Sequence, residues 1–394
     1  MIVCIAEKPS VARDIADILG ARERKEGYIE GNGYQVTWTF GHLCTLKEPH
    51  EYTPGWKSWS LGSLPMIPPR FGIKLIENPT YEKQFHIIEG LMQKADEIIN
   101  CGDAGQEGEL IQRWVMQKAG ARCPVKRLWI SSLTEEAIKE GFAKLKDQKD
   151  FQPLYEAGMS RAIGDWLLGM NATRLYTVKY GQNRQVLSIG RVQTPIVSLI
   201  VKNNEEIENF VSKPFWQLRL FDQTNQVAFS HEAKFETEAE AVEALELLSD
   251  RAMITQVSSE KKSKTAPKLY NLTDIQAEMS KLYKFDADRT KSIIQSLYQK
   301  GYMSYPRTNS NLITTNEFDY LVEHIDDYQA AIGKTIETPN RSPRKSFVND
   351  KQVVEHYAII PTEIIPNMEE LEKEERLIYQ MVTFRTLLMF APYY

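Results

Sequence analysis

The sequence has few cysteines, no long apolar run and no excess of positive charge, and each absence excludes a class of protein. Its four cysteines lie far apart with no C-x-x-C pair, which excludes a local zinc ribbon and argues against a disulfide scaffold. No apolar stretch approaches the roughly 18 residues of a membrane span, and the opening MIVCIAEKPS is no signal peptide. The net charge of −5 does not indicate nucleic-acid binding. We therefore expect a reduced cytoplasmic protein with no membrane partner.

The order of strands and helices predicts an α/β domain followed by mainly helical domains. With 394 residues, 42% of them apolar, the chain is too long for one core. Buried runs at 2–6, 97–101 and 125–130 and an alternating run at 34–40 predict strands of a mostly parallel sheet. Helix signals include a cap at Ser10, a helix end at Gly20, and a capping box formed by Thr273 and Gln276.

Positive charge is concentrated in one part of the chain. Residues 251–310 contain 11 Lys and Arg against 5 Asp and Glu, and KKSKTAPK at 261–268 reads as a basic linker. A local basic stretch can form a binding face although the total charge is negative. Alone, this pattern is weak, because runs of charged residues usually form solvated surfaces.

Three carboxylates are predicted to meet at one edge of the sheet. Glu7 follows the first buried strand, Asp103 follows another, and Glu107 begins the next helix. Ligands of α/β sheets bind outside the carboxyl ends of the strands, and clustered carboxylate oxygens suit Mg²⁺. Lys8, beside Glu7, could meet a phosphate. The alternative is that Glu7 is a surface residue and that Asp103 and Glu107 only favour the start of a helix.

A second candidate site is the segment GYMSYPRTNS at 301–310. Tyrosine can act as a nucleophile toward phosphate when a cation stabilises the developing charge, and Arg307 lies two residues from Tyr305. The alternative is an ordinary turn whose aromatic side chains, including Tyr302, pack in the core.

Taken together and in order, these and other segments resemble motifs of the type IA DNA topoisomerases, most closely the topoisomerase III branch. Any one match would be weak, but their order along the chain makes the resemblance specific. The segments are AEKPSVARDIA at 6–16, GDAGQEGELI at 102–111, RAIGDWLLGMNATR at 161–174, LSIGRVQTPIVSLIV at 187–201, GYMSYPRTNS at 301–310 and EHYAIIPTE at 355–363.

The resemblance implies a Toprim α/β domain plus mainly α domains in a multidomain type IA topoisomerase architecture. Family enzymes form a torus, and their chains are longer than this one, so we expect a partial torus that lacks part of the arch and groove domains. The expected domains are Toprim at 1–150, part of the helical groove domain at 151–214, part of a β-rich arch at 215–268, and a helical winged-helix-like domain with the tyrosine at 269–394.

The resemblance also implies a Mg²⁺-dependent, ATP-independent reaction on single-stranded DNA. Tyr305 would attack a phosphodiester to form a 5′-phosphotyrosine bond, and a second strand would pass before religation. Arg307 and Lys8 would assist at the phosphate, and His356 would either contact the backbone phosphate or orient the surroundings of Arg307. Either Glu107 or Glu7 would serve in proton transfer, and both, with Asp103, would hold the metal. Expected DNA contacts are Arg191, Gln193, Arg161, Arg174 and Thr308. A monomer at the nucleoid, with a helicase as a candidate partner, would fit this function.

The segments also depart from the family pattern at three positions. Gly105 stands where the usual D-x-D motif has its second Asp, Gln106 replaces an Arg, and Asn309 replaces an Asp. These changes and the short length motivate an alternative, a degenerate paralogue that binds single-stranded DNA without full strand passage. A Toprim nuclease or primase is a third possibility, and it would need no tyrosine motif.

Overall fold

The computed structural model describes residues 1–182, 185–249, 253–353 and 356–392. The chain divides into two units: residues 1–188 with 263–394 form the first, and residues 189–262 form the second. The four domain boundaries expected from the resemblance stay predictions.

The first unit contains a seven-stranded sheet with a parallel centre. The strands lie in the order β2-β3-β4-β1-β7-β8-β9, and β1 pairs in parallel with both β4 and β7. The predicted strands are confirmed, because buried apolar side chains fill both faces of the sheet. A separate pair, β5 and β6, is antiparallel. The strands are β1 (Ile2–Ala6), β2 (Glu23–Lys25), β3 (Tyr28–Gly31), β4 (Tyr34–Trp38), β5 (Cys44–Leu46), β6 (Ile73–Leu75), β7 (Glu97–Cys101), β8 (Val125–Arg127) and β9 (Lys146–Asp147).

Helices cover both faces of this sheet. Helix α1 begins at Pro9, one residue before the predicted cap Ser10, because the fixed φ of proline suits the first helical position. It ends, as predicted, before Gly20, which takes the left-handed conformation at φ 74°. The helices up to residue 180 are α1 (Pro9–Leu19), α2 (Pro49–Tyr52), α3 (Pro79–Met92), α4 (Gln106–Lys118), α5 (Glu135–Ala143) and α6 (Gln152–Tyr180).

The described residues of the second unit, 189–249 and 253–262, contain two helices and one antiparallel strand pair. The helices are α7 (Gln193–Glu208) and α8 (Glu238–Glu246), and the strands are β10 (Arg219–Asp222) and β11 (Val227–Ser230). Within the described residues of 215–268, the predicted β-rich character is represented by one short hairpin and an isolated bridge between Trp216 and Phe235.

The C-terminal part of the first unit is helical around two apolar cores. The predicted cap at Thr273 is wrong by two residues, since the side chain of Asn271 accepts the hydrogen bond from the Asp274 amide and Thr273 lies inside the helix. None of the helices described is long and apolar enough to cross a membrane. These helices are α9 (Leu272–Tyr283), α10 (Ala287–Gln299), α11 (Thr315–Glu323), α12 (Ile325–Ile332) and α13 (Lys373–Leu387).

Candidate active site

Two of the predicted carboxylates meet at the carboxyl end of the parallel sheet. Ala6 is in register with Cys101 where β1 and β7 end, so the residues that follow both strands emerge at the same edge. The Nζ atom of Lys8 lies 2.6 Å from Oδ2 of Asp103 and 3.9 Å from Oε1 of Glu7. The structure therefore brings Glu7 and Asp103 together around one ammonium group.

A buried arginine, which the sequence analysis missed, holds the loop that carries Asp103. Arg127 is fully buried and donates to the carbonyl oxygens of Gly102 at 2.7 Å and Asp103 at 2.8 Å. Its Nε donates to Oε2 of the buried Glu109 at 2.9 Å. Desolvating a guanidinium is costly unless its N–H groups are satisfied, so these contacts define the loop conformation. The sequence feature that could have indicated this role is the presence of an arginine inside an otherwise apolar strand.

Tyr305 lies directly against this ion pair. The Lys8 ammonium is 4.0 Å from the centre of the Tyr305 ring, and the ring of Tyr298 packs on Tyr305 edge-on at 5.4 Å. The preceding residue, Ser304, is tied to the segment around His356: its hydroxyl donates to the carbonyl of Ala358 at 2.9 Å. The tyrosine predicted as the nucleophile and the carboxylate of Asp103 therefore belong to one site, joined by Lys8.

The ring of His356 also packs on the ring of Tyr305. The two ring centres are 4.6 Å apart, and Nε2 of His356 lies 3.7 Å from Oδ2 of Asp103. Burial lowers the pKa of His356 to about 4, although Asp103 acts to raise it. The imidazole is therefore neutral at neutral pH. Glu355, which opens the predicted motif at 355–363, lies outside the described residues.

Arg307 and Thr308 follow the tyrosine in the chain, but their surroundings indicate different roles. Arg307 is exposed, and within the described part of the chain its guanidinium makes no hydrogen bond or ion pair, which leaves it available to a phosphate. Thr308, predicted to contact DNA, is only 4% exposed. Its hydroxyl donates to the carbonyl of His356 at 3.2 Å, an arrangement that favours positioning His356 over touching DNA.

Glu107 does not join Glu7 and Asp103. Its Oε2 lies 3.1 Å from Nε2 of His42, and its Oε1 lies 3.4 Å from Nη1 of Arg161. Among the residues that the structure describes, no group of three or more His, Cys, Asp or Glu side chains is arranged to hold a metal ion. The predicted three-carboxylate set is therefore not formed, because Glu107 faces the long helix α6 that carries Arg161.

Of the other predicted DNA contacts, Arg174 is buried, and Arg191 and Gln193 lie in the second unit. Arg174 is 6% exposed, donates to the carbonyl of Trp56 at 2.6 Å, and packs over Trp59, so it supports a loop. Arg191 and Gln193 belong to the second unit, where Gln193 is the first residue of α7. Their contacts with DNA stay predictions.

Comparison with known proteins gives a family for this arrangement. The profile of the family described as DNA topoisomerase matches residues 149–394, and the Toprim domain profile matches residues 2–133. DNA topoisomerase 3 of Bacillus cereus is 38% identical, and that of Staphylococcus haemolyticus 39% identical, over 99% and 97% of this chain. The chain spans about half the length of these curated relatives, 54% in both cases.

A solved structure supports the same fold. Full-length topoisomerase I from Thermotoga maritima matches with a TM-score of 0.62 and 21% identity, over 99% of this chain and 61% of that one. The Toprim α/β domain followed by helical domains is confirmed. The resemblance predicted from the motifs is confirmed as well: the chain belongs to the DNA topoisomerase family, and its curated relatives are topoisomerase III proteins.

Proposed function

We propose that this chain cleaves and rejoins single-stranded DNA as a type IA topoisomerase, with Tyr305 as the nucleophile. The observation that carries the proposal is the contact of the Tyr305 ring with both the ammonium of Lys8 and the imidazole of His356. An ordinary turn tyrosine would pack in the core. Here its ring instead contacts Lys8, whose ammonium is paired with Asp103, and the exposed Arg307 lies two residues further along the chain.

The proposed cleavage is a transesterification. The Tyr305 oxygen loses its proton and forms a bond to phosphorus, and the bond from phosphorus to the 3′ oxygen breaks. The departing oxygen takes up a proton and leaves as a 3′-hydroxyl, while the 5′ phosphate stays on the tyrosine. Because the phosphotyrosine ester keeps the energy of the broken bond, the reverse attack reseals the strand without ATP.

Three side chains would support this step by charge and hydrogen bonding. Lys8 stabilises the negative charge that develops near the tyrosine oxygen, and Arg307 binds the non-bridging phosphate oxygens. Burial lowers the pKa of Lys8, but Asp103 and then Glu7 raise it more strongly, so the ammonium stays charged at neutral pH. His356, neutral at that pH, can donate one hydrogen bond to the phosphate.

Toprim domains typically bind Mg²⁺, and the donors present here fit that ion in part. Glu7 and Asp103 supply hard oxygen ligands, and Mg²⁺ commonly binds through one or two carboxylates together with substrate phosphates. We propose that these two residues would hold the ion, with Glu107 outside the set. When bound, Mg²⁺ would neutralise phosphate charge and keep the scissile phosphate beside Tyr305.

Complete relaxation of negative supercoils and decatenation would also require strand passage. These activities, DNA binding by Arg161, Arg191 and Gln193, a helicase partner, the monomeric state and the location at the nucleoid all remain proposals. The second candidate function is single-stranded DNA binding without cleavage. One observation favours it: Glu107 is engaged by His42 and Arg161, so the three carboxylates do not converge.

The test is capture of the covalent intermediate. Labelled single-stranded oligonucleotide is incubated with the protein and Mg²⁺, denaturant is added, and protein-bound label is measured. Tyr302→Phe is the matched control, because Tyr302 is in the same segment but packs against the core. We expect an adduct in the parent protein and the control and none in Tyr305→Phe. An adduct in Tyr305→Phe would refute the nucleophile, and binding without any adduct would support the non-cleaving alternative.

A further inference from the structure

A basic cavity opens beside the nucleophile within the first unit. Two of its lining residues, Arg307 and His356, also belong to the proposed active site, so the cavity begins where the scissile phosphate would lie. Its walls come from the segment before α9, the segment after Tyr305 and the loop before His356. The lining residues are Thr265, Ala266, Lys268, Arg307, Thr308, Asn309, Ser310, Asn311, Leu312, Lys345, Ser346, Phe347, Gln352 and His356.

The charged side chains among the described lining residues of this basic cavity are all positive. Lys268, Arg307 and Lys345 are exposed, and none of them forms an ion pair with any residue that the structure describes. No Asp or Glu occurs among the described lining residues. Some exposed lysines elsewhere in the chain are instead paired with carboxylates, as Lys139 is with Glu135 and Lys144 with Glu140. Three uncompensated cations in one concave site attract a polyanion.

The backbone around the basic cavity is held in place by hydrogen bonds. The side-chain amide of Asn311 donates to the carbonyl of Leu269 at 2.7 Å and to Oδ2 of Asp274 at 2.8 Å. Arg385 donates to the carbonyl of Lys268 at 3.2 Å. Both lysine-bearing segments also lie next to buried residues, because Leu269 is fully buried and Phe347 is 1% exposed. The backbone segments that carry Lys268 and Lys345 are therefore held in place by these contacts.

The lining chemistry suits phosphates better than bases. Base recognition in single strands usually depends on exposed aromatic faces, but Phe347 is buried and His356 already packs on Tyr305. Lysine, arginine, amide and hydroxyl groups instead match phosphate oxygens. We propose that the basic cavity binds the phosphodiester backbone of the single-stranded DNA that adjoins the cleavage site, with Lys268 and Lys345 as the phosphate contacts; this inference rests on the proposed function.

Salt-dependent binding tests this inference. Each phosphate contact on a single strand contributes about 0.7 to the slope of log K against log salt concentration. The double variant Lys268→Ala with Lys345→Ala should therefore lower the slope for a fluorescent single-stranded oligonucleotide by about 1.4 and weaken binding at low salt. The matched control, Lys94→Ala with Lys149→Ala, removes two exposed lysines that lie outside the basic cavity and should leave the slope unchanged.

A second variant and the adduct assay separate the possible outcomes. Asn309→Asp, at an exposed position, adds a carboxylate to the basic cavity and should also weaken binding, more strongly at low salt. Unchanged slopes in the lysine double variant would overturn the inference, even if the parent protein forms the Tyr305 adduct. A lower slope in a protein that forms no adduct would retain the cavity as a DNA site and reject the cleavage proposal.

Discussion

The ammonium of Lys8 lies 2.6 Å from Oδ2 of Asp103 and also 4.0 Å from the centre of the Tyr305 ring. One cation thus joins the residues that follow two parallel strands to a tyrosine 297 positions later in the chain. Asp103 and Glu7 raise the pKa of Lys8 against the opposing effect of burial, so the site keeps a fixed positive charge. The proposed chemistry depends on that charge.

Replacing Lys8 should slow the chemical step. We expect Lys8→Gln to reduce the rate of adduct formation by roughly 10²–10³-fold, because removing one preorganised group that stabilises transition-state charge has about that effect. Single-turnover adduct formation at saturating oligonucleotide measures the rate, and anisotropy measures binding separately. Lys25→Gln, on the edge strand β2, is the control and should match the parent. An unchanged rate in Lys8→Gln would remove Lys8 from the mechanism.

The carboxylates should differ in their effect on metal binding. Glu7→Gln should weaken Mg²⁺ binding, since a neutral amide loses a charged oxygen ligand, whereas Glu107→Gln should have a smaller effect because Glu107 contacts His42 and Arg161. Titration calorimetry with Mg²⁺ and oligonucleotide-bound Tyr305→Phe protein measures the affinity without cleavage. Equal losses in the two variants would contradict the two-carboxylate assignment.

Arg127 should contribute strongly to stability. Arg127→Met leaves Glu109 buried without its fully buried partner and frees the carbonyls of Gly102 and Asp103, so we expect a loss of about 3–5 kcal/mol in the free energy of unfolding. Urea denaturation measures it. Arg113→Met also removes a Glu109 partner, but one with 14% side-chain exposure, and should cost less. A larger loss of unfolding free energy in Arg113→Met than in Arg127→Met would contradict the conclusion that Arg127 supports the loop.

The buried carboxylate of Glu317, when ionised at neutral pH, should lower the free energy of unfolding. Burial raises its pKa above the ordinary value, so the folded state binds a proton more tightly than the unfolded state. The stabilisation is present below the unfolded pKa and is lost as pH rises through the folded pKa. Glu317→Gln keeps a capping-box residue at the start of α11. It should therefore be more stable than the parent at pH 7, with the difference vanishing near pH 4 in urea denaturation; a constant difference would contradict this account.

Part of this site was predictable because it depends on local pattern and on simple topology. Apolar runs identified β1 and β7, and parallel strands must end at one edge, which brought Glu7 and Asp103 together. The choice of Tyr305 over Tyr302 depended on motif resemblance and agrees with the contact to Lys8. Spacing alone would not have decided it.

Other features depend on packing that no local pattern contains. Glu107 turns toward Arg161 because α6 packs against α4, which only the tertiary structure defines. Arg127 lies in a strand pattern that gives no sign of its ion pair with the buried Glu109, because the two residues meet only in the folded chain. The cap at Asn271 was missed because Thr273, two residues later, offers the same chemistry locally.

The central claim is attack by Tyr305 with retention of the 5′ phosphate, and strand polarity tests it most directly. Two oligonucleotides of one sequence, labelled at the 3′ or the 5′ end, are incubated with the protein and quenched with denaturant. The account predicts that the 3′ label stays with the protein and that the 5′ label is released on a fragment with a 3′-hydroxyl. Retention of the 5′ label, or retention of either label by Tyr305→Phe, would contradict it.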